Sequence, residues 1–235
     1  MSSIEGRVAL ITGASRGIGA SVAHALSDAG ARVVLASRSG GDRGIDGALA
    51  QPCDVCDLRS LEKLAAAARE RFGGVDIVVA NAGVGAYGDF LDLDVEVMDE
   101  IIDINVKGLL YTVRATLPLL LESDAAELVV IASIAGLRGP EGEAVYAASK
   151  FAQVGFMRSL DHELWDRGVR CSTICPGGVA TDFAMGRGRT PDDPDLAVMM
   201  QPDEVAESVL HVLTRPRTLR VLESSLLPMG EDSLG

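Results

Sequence analysis

The chain has 235 residues, of which 48% are hydrophobic and only 4% aromatic, enough apolar material for a large core and too much for a disordered chain. Its net charge of −13, without any Lys/Arg cluster, argues against a nucleic-acid or anionic-membrane surface. No apolar run approaches the roughly 18 residues needed to span a bilayer, and the first seven residues hold no apolar signal-peptide segment. We therefore expect no nucleic-acid or membrane partner, and a cytoplasmic location.

Short apolar runs alternate with helical patterns along the chain. The predicted strands are 7–11, 32–36, 48–51, 76–80, 127–132, 169–175 and 219–222, the last with a possible continuation to 227; the predicted helices are 17–29, 58–72, 95–121, 145–167 and 202–213. This alternation predicts an α/β fold, a doubly wound parallel sheet with helices on both faces, in a single domain over residues 1–235. Residues 39–49 are too few and too Gly-rich for a crossover helix, so they are predicted to form a loop.

A Gly-rich turn directly follows the first strand and opens the first helix: Thr12-Gly13-Ala14-Ser15-Arg16-Gly17-Ile18-Gly19. Glycines at these places let the backbone turn tightly and let a pyrophosphate approach the helix N-terminus. A tight turn without a ligand is the alternative interpretation. In this strand–turn–helix context the pattern favours a dinucleotide site.

The residues after the second strand bear on which nucleotide binds. They are Ala36, Ser37 and Arg38, with no carboxylate to accept a hydrogen bond from a ribose 2′-hydroxyl. Arg38 and Ser37 can instead bind a 2′-phosphate, and Arg16 adds a second cation. The pattern favours NADP(H) over NAD(H), with a solvated loop arginine as the alternative for Arg38.

Tyr146 and Lys150 are four residues apart and lie on one face of a predicted helix. A nearby ammonium favours the phenolate, so we expect the pKa of Tyr146 to be lowered from its usual value of about 10. Tyr146 would then transfer protons near neutral pH. The alternative is an ordinary helix surface.

Taken together, these motifs resemble the short-chain dehydrogenase/reductase family from Arg7 to about Leu227. The matching motifs are Thr12-Gly13-x-x-x-Gly17-x-Gly19, Asp54-Val55, Asn81-Ala82-Gly83, Asn105, Ser133, Tyr146-x-x-x-Lys150 and Pro176-Gly177. The resemblance implies a Rossmann-type sheet of about seven strands, with a nucleotide-binding half at about 1–130 and a catalytic and substrate half at about 131–235. It also implies hydride transfer between a nicotinamide and a carbonyl or alcohol carbon.

The resemblance implies four catalytic residues. Tyr146 is the acid or base at the substrate oxygen, and Lys150 supports it while binding the nicotinamide ribose. Ser133 donates a hydrogen bond to the substrate oxygen. Asn105 positions a water beside the lysine as a proton relay. A helix kink or surface position is the alternative for Asn105, and a cap or turn for Ser133.

The resemblance also implies the cofactor contacts. Asp54 would accept from the adenine amino group, and Thr181 would lie near the nicotinamide carboxamide. The full set is Gly13, Ser15, Arg16, Gly17, Ile18, Gly19, Ser37, Arg38, Asp54, Val55, Asn81, Ala82, Gly83, Tyr146, Lys150, Pro176, Gly177, Val179 and Thr181. No metal is expected, because Cys53-x-x-Cys56 has no second ligand pair.

The substrate is open at this level. The chain lacks the Asp-Gly-Gly ending of the acyl-carrier-protein reductases and is more similar to the branch acting on small 3-hydroxy acids and related carbonyls. Residues 181–200 are the predicted lid, in which Arg187 or Arg189 could bind a substrate carboxylate or simply be solvated. The alternatives are a 3-oxoacyl thioester reductase, with Arg138 as a further docking cation, and a catalytically silent nucleotide-binding sensor or scaffold. The family's habits imply a homodimer or homotetramer built on helices 95–121 and 145–167.

Overall fold

The computed structural model describes residues 2–231, which contain seven parallel strands in one sheet. The strands are β1 (Val8–Thr12), β2 (Arg32–Ser37), β3 (Leu49–Pro52), β4 (Ile77–Ala80), β5 (Glu127–Ile131), β6 (Arg170–Pro176) and β7 (Glu223–Leu226). Their order is β3-β2-β1-β4-β5-β6-β7, so the winding reverses between β1 and β4. Connections leave this point in opposite directions and open a crevice at the carboxyl ends of the strands. The predicted Rossmann-type fold is confirmed.

Helices cover both faces of the sheet. They are α1 (Gly17–Asp28), α2 (Leu58–Phe72), α3 (Val95–Ile102), α4 (Gly108–Leu120), α5 (Ala144–Leu164) and α6 (Pro202–Leu213). Alternate residues of β1 face opposite layers: Val8 and Leu10 pack with α2, α4 and α5, whereas Ala9 and Ile11 pack with α1 and α6. Because both faces are buried there, the inner strands β1, β2, β4 and β5 are predominantly apolar, as is usual in parallel sheets. No helix in residues 2–231 is long and apolar enough to cross a membrane.

The predicted helix 95–121 is interrupted. A π-helical turn, Asp103–Lys107, separates α3 from α4 and carries the fully buried Asn105. An extra residue in a helical turn rotates the following side chains and leaves backbone groups outside the regular ladder. Hydropathy periodicity does not register one such residue, so the sequence predicted one continuous helix.

The last strand begins later than predicted, at Glu223 rather than at 219. The guanidinium of Arg170 accounts for this difference, because its Nη1 donates to the carbonyls of Arg215, Pro216 and Leu219. Those carbonyls are therefore already hydrogen-bonded to Arg170, and the segment that carries them does not pair with the sheet. The predicted loop between β2 and β3 is confirmed, since residues 38–48 contain turns and no helix.

Candidate active site

A cavity of about 530 Å³ lies at the carboxyl ends of the strands. Most of the predicted site residues line it: Gly13, Ser15, Arg16, Gly17, Ile18, Ser37, Arg38, Asp54, Val55, Asn81, Ala82, Gly83, Ser133, Tyr146, Lys150, Pro176, Gly177, Val179 and Thr181. Gly19 and Asn105 are not in its wall; each supports residues that are. The sequence predicted Gly19 as a cofactor contact and Asn105 as the residue that positions a water beside the lysine, and both roles stay predictions.

The Gly-rich turn presents backbone N–H groups to the cavity. Helix α1 has Arg16 as its N-cap without any side-chain cap hydrogen bond, and its first turn contains no acidic residue. Asn81 fixes the turn, because its Nδ2 donates to the carbonyls of Thr12 at 3.0 Å and Gly13 at 3.2 Å. A helix N-terminus with free N–H groups and no competing carboxylate fits a pyrophosphate. The residues present therefore fit a dinucleotide.

Gly19 packs directly against the Gly13 carbonyl of this turn. A Cβ at Gly19 would lie 2.3 Å from the carbonyl oxygen of Gly13 and 2.4 Å from Nδ2 of Asn81. No side chain fits between the helix and the turn. This close approach is the physical reason for a glycine at the third position of the motif.

The far end of the cavity carries exposed cations. Arg38 is exposed after β2, and Arg16 is exposed with Nη1 3.9 Å from a carboxylate oxygen of Asp182. At this distance and exposure the Arg16–Asp182 pair is weak. Asp54 lines the same end and accepts a hydrogen bond from the Cys56 amide at 2.9 Å.

Three side chains form a buried polar cluster at the inner wall. Ser133 follows β5 as an N-cap, with its Oγ accepting from the Ala135 amide at 3.1 Å, and it is hydrogen-bonded to Tyr146. Lys150 lies one helical turn from Tyr146, with Nζ 5.6 Å from the ring centroid. Tyr146 is 6% exposed and Lys150 3%. Strand β5 and helix α5 thus bring Ser133, which the resemblance implied, together with Tyr146 and Lys150, the pair that the spacing predicted on one helix face.

The ionisation of this cluster differs from the expectation. Burial raises the pKa of Tyr146 above its usual value, the nearby Tyr87 raises it further, and the Ser133 hydrogen bond only partly opposes both. Burial also lowers the pKa of Lys150 to about 7. The predicted lowering of the Tyr146 pKa is wrong for this structure, because desolvation outweighs the neighbouring ammonium. The raised pKa favours the protonated form of Tyr146, which can donate a proton.

Asn105 connects the π-helical turn to the strand ends. Its Oδ1 accepts from the Val84 amide at 2.9 Å, and its Nδ2 donates to the Val84 carbonyl at 2.8 Å and to Ser149 Oγ at 2.9 Å. These bonds use both N–H donors of the side chain and one acceptor site of its oxygen. The main-chain carbonyl of Asn105 faces Gln153.

Gln153, which the sequence reasoning missed, joins this carbonyl to the lysine. Its Nε2 donates to the Asn105 carbonyl at 2.7 Å, and its Oε1 accepts from Lys150 Nζ at 3.0 Å. The residue is 3% exposed. Its one sequence signal was a polar residue three positions after Lys150, on the same helix face.

Aromatic rings and charged side chains line the substrate end. Rings of Tyr87 and Phe183 lie 6.2 and 5.5 Å from the ring of Tyr146, centroid to centroid. Glu143 and Arg189 also line the cavity, and Arg138 pairs there with Glu231 at 2.6 Å. Tyr87, Glu143 and Glu231 were not predicted, because they lie in irregular segments whose path only the fold defines.

The four cysteines offer no reactive thiol. None is in a disulfide, and burial raises the pKa of each thiol. Among residues 2–231 no group of three His, Cys, Asp or Glu side chains could hold a metal ion.

Comparisons with known proteins agree with this geometry. The family model for the short chain dehydrogenases matches residues 7–192. An uncharacterized oxidoreductase of Staphylococcus aureus (strain USA300) is 35% identical over 236 residues, covering 97% of this chain and 100% of that protein. An alcohol dehydrogenase from the archaeon Thermococcus sibiricus, complexed with 5-hydroxy-NADP, superimposes with a TM-score of 0.86 at 31% identity, covering 97% and 99% of the two chains. A 3-ketoacyl-(acyl-carrier-protein) reductase from Brucella melitensis, complexed with NADH, gives 0.85 at 27% identity over 97% and 99%. The chain is a member of the short-chain dehydrogenase family of oxidoreductases.

Proposed function

We propose that the protein is an NADP(H)-dependent oxidoreductase that interconverts a ketone or aldehyde with an alcohol, with Tyr146 as acid and base. The observation that carries the proposal is the buried cluster of Ser133, Tyr146 and Lys150, which lies in the same cavity as the Gly-rich turn. A nucleotide sensor has no use for a proton donor kept beside a polar pocket. The catalytically silent alternative therefore ranks below the enzyme.

The residues of this chain divide the work of carbonyl reduction. A bound dinucleotide would supply the hydride, held by the N-terminus of α1 and by Lys150. Ser133 donates a hydrogen bond to the substrate oxygen and stabilises the charge that forms on it. Tyr146 gives its proton to that oxygen, and the Lys150 ammonium stabilises the resulting phenolate. Burial raises the pKa of Tyr146, which favours the protonated form that carbonyl reduction uses.

Replacement of Tyr146 by Phe tests the assignment. The variant keeps the aromatic packing and loses only the hydroxyl, so carbonyl reduction should fall by at least about 100-fold in kcat. Cofactor binding, followed by fluorescence titration, should stay within a few-fold of wild type. Reduction at the wild-type rate in the variant would reject Tyr146 as the proton donor.

The preference for NADP(H) is supported by Ser37, Arg38 and Arg16 at the adenosine end and by the lack of a carboxylate after β2. The charge-assisted bonds of Arg38 to a 2′-phosphate are worth about 1.5–3 kcal/mol. Arg38→Asp should therefore lower the ratio of kcat/KM for NADPH over NADH by at least about 10-fold. An unchanged ratio would show that Arg38 does not determine a preference for NADP(H).

A 3-oxoacyl thioester reductase is the second candidate, supported by the Brucella reductase of similar structure. Its acidic carrier needs a basic surface near the site. Arg187 is paired with Glu100 at 2.6 Å and Arg138 with Glu231, so these predicted docking cations are largely neutralised. Turnover of a carrier-bound 3-oxoacyl group above that of free ketones would reverse this ranking.

We also propose a homodimer or homotetramer in the cytoplasm. Leu110 on α4 and Phe151 on α5 are 40% and 47% exposed, which supports an interface on these helices. Light scattering measures the oligomeric state. The location is a proposal from sequence, tested by cell fractionation.

A further inference from the structure

The two arginines of the segment 181–200 have different environments. Arg187 is exposed, and its Nη1 donates to Glu100 Oε2 at 2.6 Å. Arg189 is only 7% exposed and lines the cavity. The sequence left both as candidates for substrate binding, and their burial separates them.

Arg189 is held in place by two contacts. Its Nη1 donates to the Val179 carbonyl at 3.3 Å, and its Cζ lies 5.9 Å from the ring centroid of Tyr87. No carboxylate of residues 2–231 lies within 4.0 Å of its guanidinium nitrogens. These contacts orient the guanidinium without neutralising its charge.

Its other N–H groups reach the open volume of the cavity. Among the described residues, the only fully enclosed side-chain nitrogen or oxygen without a hydrogen bond is Nε of Arg7. The unbonded nitrogens of Arg189 are therefore not sealed in protein. A buried guanidinium is costly unless an anion or water pairs with it, so this one is prepared to receive an anion.

The guanidinium is also close to the reacting hydroxyl. Both residues lie near the ring of Tyr87, whose centroid is 5.9 Å from Cζ of Arg189 and 6.2 Å from the ring centroid of Tyr146. The positive charge of Arg189 acts on both phenols. A group bound by Arg189 would thus belong to the same small molecule whose carbonyl meets Tyr146.

We propose that Arg189 binds a carboxylate of the substrate, so that the protein interconverts a short oxo acid and the matching hydroxy acid. The assignment rests on the proposed function above. The guanidinium fork matches a carboxylate with two parallel N–H···O bonds. Since Arg189 and Tyr146 both lie within about one ring of Tyr87, the proposal favours a short chain between carbonyl and carboxylate.

The acidic side chains of the same region do not compete for Arg189. Both carboxylate oxygens of Glu231 have other partners: Oε1 pairs with Arg138, and Oε2 accepts from the Gly178 amide at 2.8 Å. Glu143 lines the cavity and interacts electrostatically with Arg138 and Arg189 but forms no ion pair with Arg189, and burial raises the pKa of its carboxyl. Neither carboxylate therefore forms an ion pair that would occupy the Arg189 guanidinium.

The test compares straight-chain oxo acids with their methyl esters, which keep the ketone and lose the charge. Wild-type protein should prefer the acid by at least about 10-fold in kcat/KM. Arg189→Gln should remove that preference through KM, lowering kcat/KM for the acid at least about 10-fold more than kcat/KM for the ester. Arg187→Gln, from the same segment, should keep the wild-type preference. Equal losses for acid and ester in Arg189→Gln, or no preference in wild type, would overturn the assignment.

A second measurement does not depend on turnover or on the variant folding. Short alkanoates should raise the melting temperature of the wild-type protein saturated with NADPH, and the corresponding amides should not. Equal effects of alkanoates and amides would reject Arg189 as a carboxylate site. Turnover of esters without any acid preference rejects this inference alone. Alkanoate binding without turnover of any carbonyl rejects the proposed function alone.

Discussion

Lys150 is the residue whose ionisation depends most on the fold. It is 3% exposed, and its Nζ donates to the Ile131 carbonyl at 3.2 Å and to Gln153 Oε1 at 3.0 Å. Burial lowers its pKa to about 7, so both protonation states exist near neutral pH. Carbonyl reduction uses the ammonium form. We therefore expect the reduction rate to decrease as pH rises through about 7.

Lys150→Met should stabilise the protein while it abolishes activity. The folded-state pKa lies below the unfolded value, so the unfolded state binds more protons between about pH 7 and 10.5. The buried ammonium is therefore most destabilising at pH 7 and below. We expect Met to raise the free energy of unfolding by about 1–3 kcal/mol at pH 7, a net of removed desolvation and lost hydrogen bonds. Urea denaturation at a series of pH values should show this gain shrinking toward pH 10.5; a gain independent of pH would contradict the buried ammonium.

Gln153 should set the pH at which reduction declines. Its Oε1 accepts from the ammonium, and one such bond is worth about 0.5–1.5 kcal/mol, or about 0.4–1.1 pKa units. Gln153→Leu should therefore move the decline to lower pH by that amount, and Gln153→Glu should move it to higher pH. Shifts in the same direction for both variants would show a merely structural role. The pH profile of kcat/KM is the measurement.

Among the site residues, the sequence predicted the pair with a fixed spacing, Tyr146 and Lys150. Tyr146 and Lys150 lie in one helix, so helix geometry determines where they meet, whereas Ser133 was assigned from the family resemblance. Gln153 was not predicted and Arg189 was only one of two candidates, because one polar residue in a helix or loop is ordinarily solvated. Only the tertiary path of the chain buries them.

Among the elements, the Gly-rich turn has the least space. Gly19 lies against the Gly13 carbonyl, and Asn81 holds the turn from β4. Three elements therefore meet at a point where one methyl group cannot fit. Hydrogen bonds from Asn81 therefore join the turn to the end of β4.

Gly19→Ala should damage both folding and cofactor binding. A Cβ 2.3 Å from a backbone oxygen forces α1 away from the turn, which we expect to cost about 1–3 kcal/mol. Dinucleotide affinity should fall at least about 10-fold, measured by titration of the folded fraction. Gly74→Ala has open space around its Cβ and should leave both quantities close to wild type. Wild-type affinity in Gly19→Ala would show that the turn tolerates displacement.

The helix 95–121 shows where element prediction stops. Its apolar pattern is helical on both sides of Asp103–Lys107, so the sequence could not register the π-helical turn. That turn determines where the Asn105 carbonyl points. By contrast, the loop between β2 and β3 was predictable, because residues 39–49 are too few for a helix and contain four glycines.

Across the whole molecule, a buried ionic cluster lies at the end of the sheet opposite the cavity. Glu127 of β5 is fully buried, and its carboxylate accepts from Arg170 Nε at 2.8 Å and from Arg217 Nη1 at 2.9 Å. Arg170 also binds three carbonyls of residues 215–219. The cluster therefore ties β5, β6 and the approach to β7 together.

Arg170→Met should destabilise the protein by about 3–5 kcal/mol, because it leaves Glu127 buried beside one arginine fewer and releases the carbonyls. The matched control is Arg158→Met, whose pair with Glu223 is 67% and 32% exposed, and it should cost less than about 1 kcal/mol. Denaturant unfolding measures both. Since the cluster is remote from the cavity, kcat of the folded variants should be unchanged. Similar losses in the two variants would show that burial is not the deciding factor.

The edge strand β3, which the loop connects to β2, bears on aggregation of the protein. Strand β3 is the outermost strand on its side, so one edge of its backbone is not paired within the sheet. Such an edge can recruit strands of other molecules and start aggregation. Here β3 is only four residues long and ends at Pro52, which has no N–H to donate. The short length of β3 and its terminal Pro52 therefore limit intermolecular sheet growth at this edge. No crossover helix lies between β2 and β3.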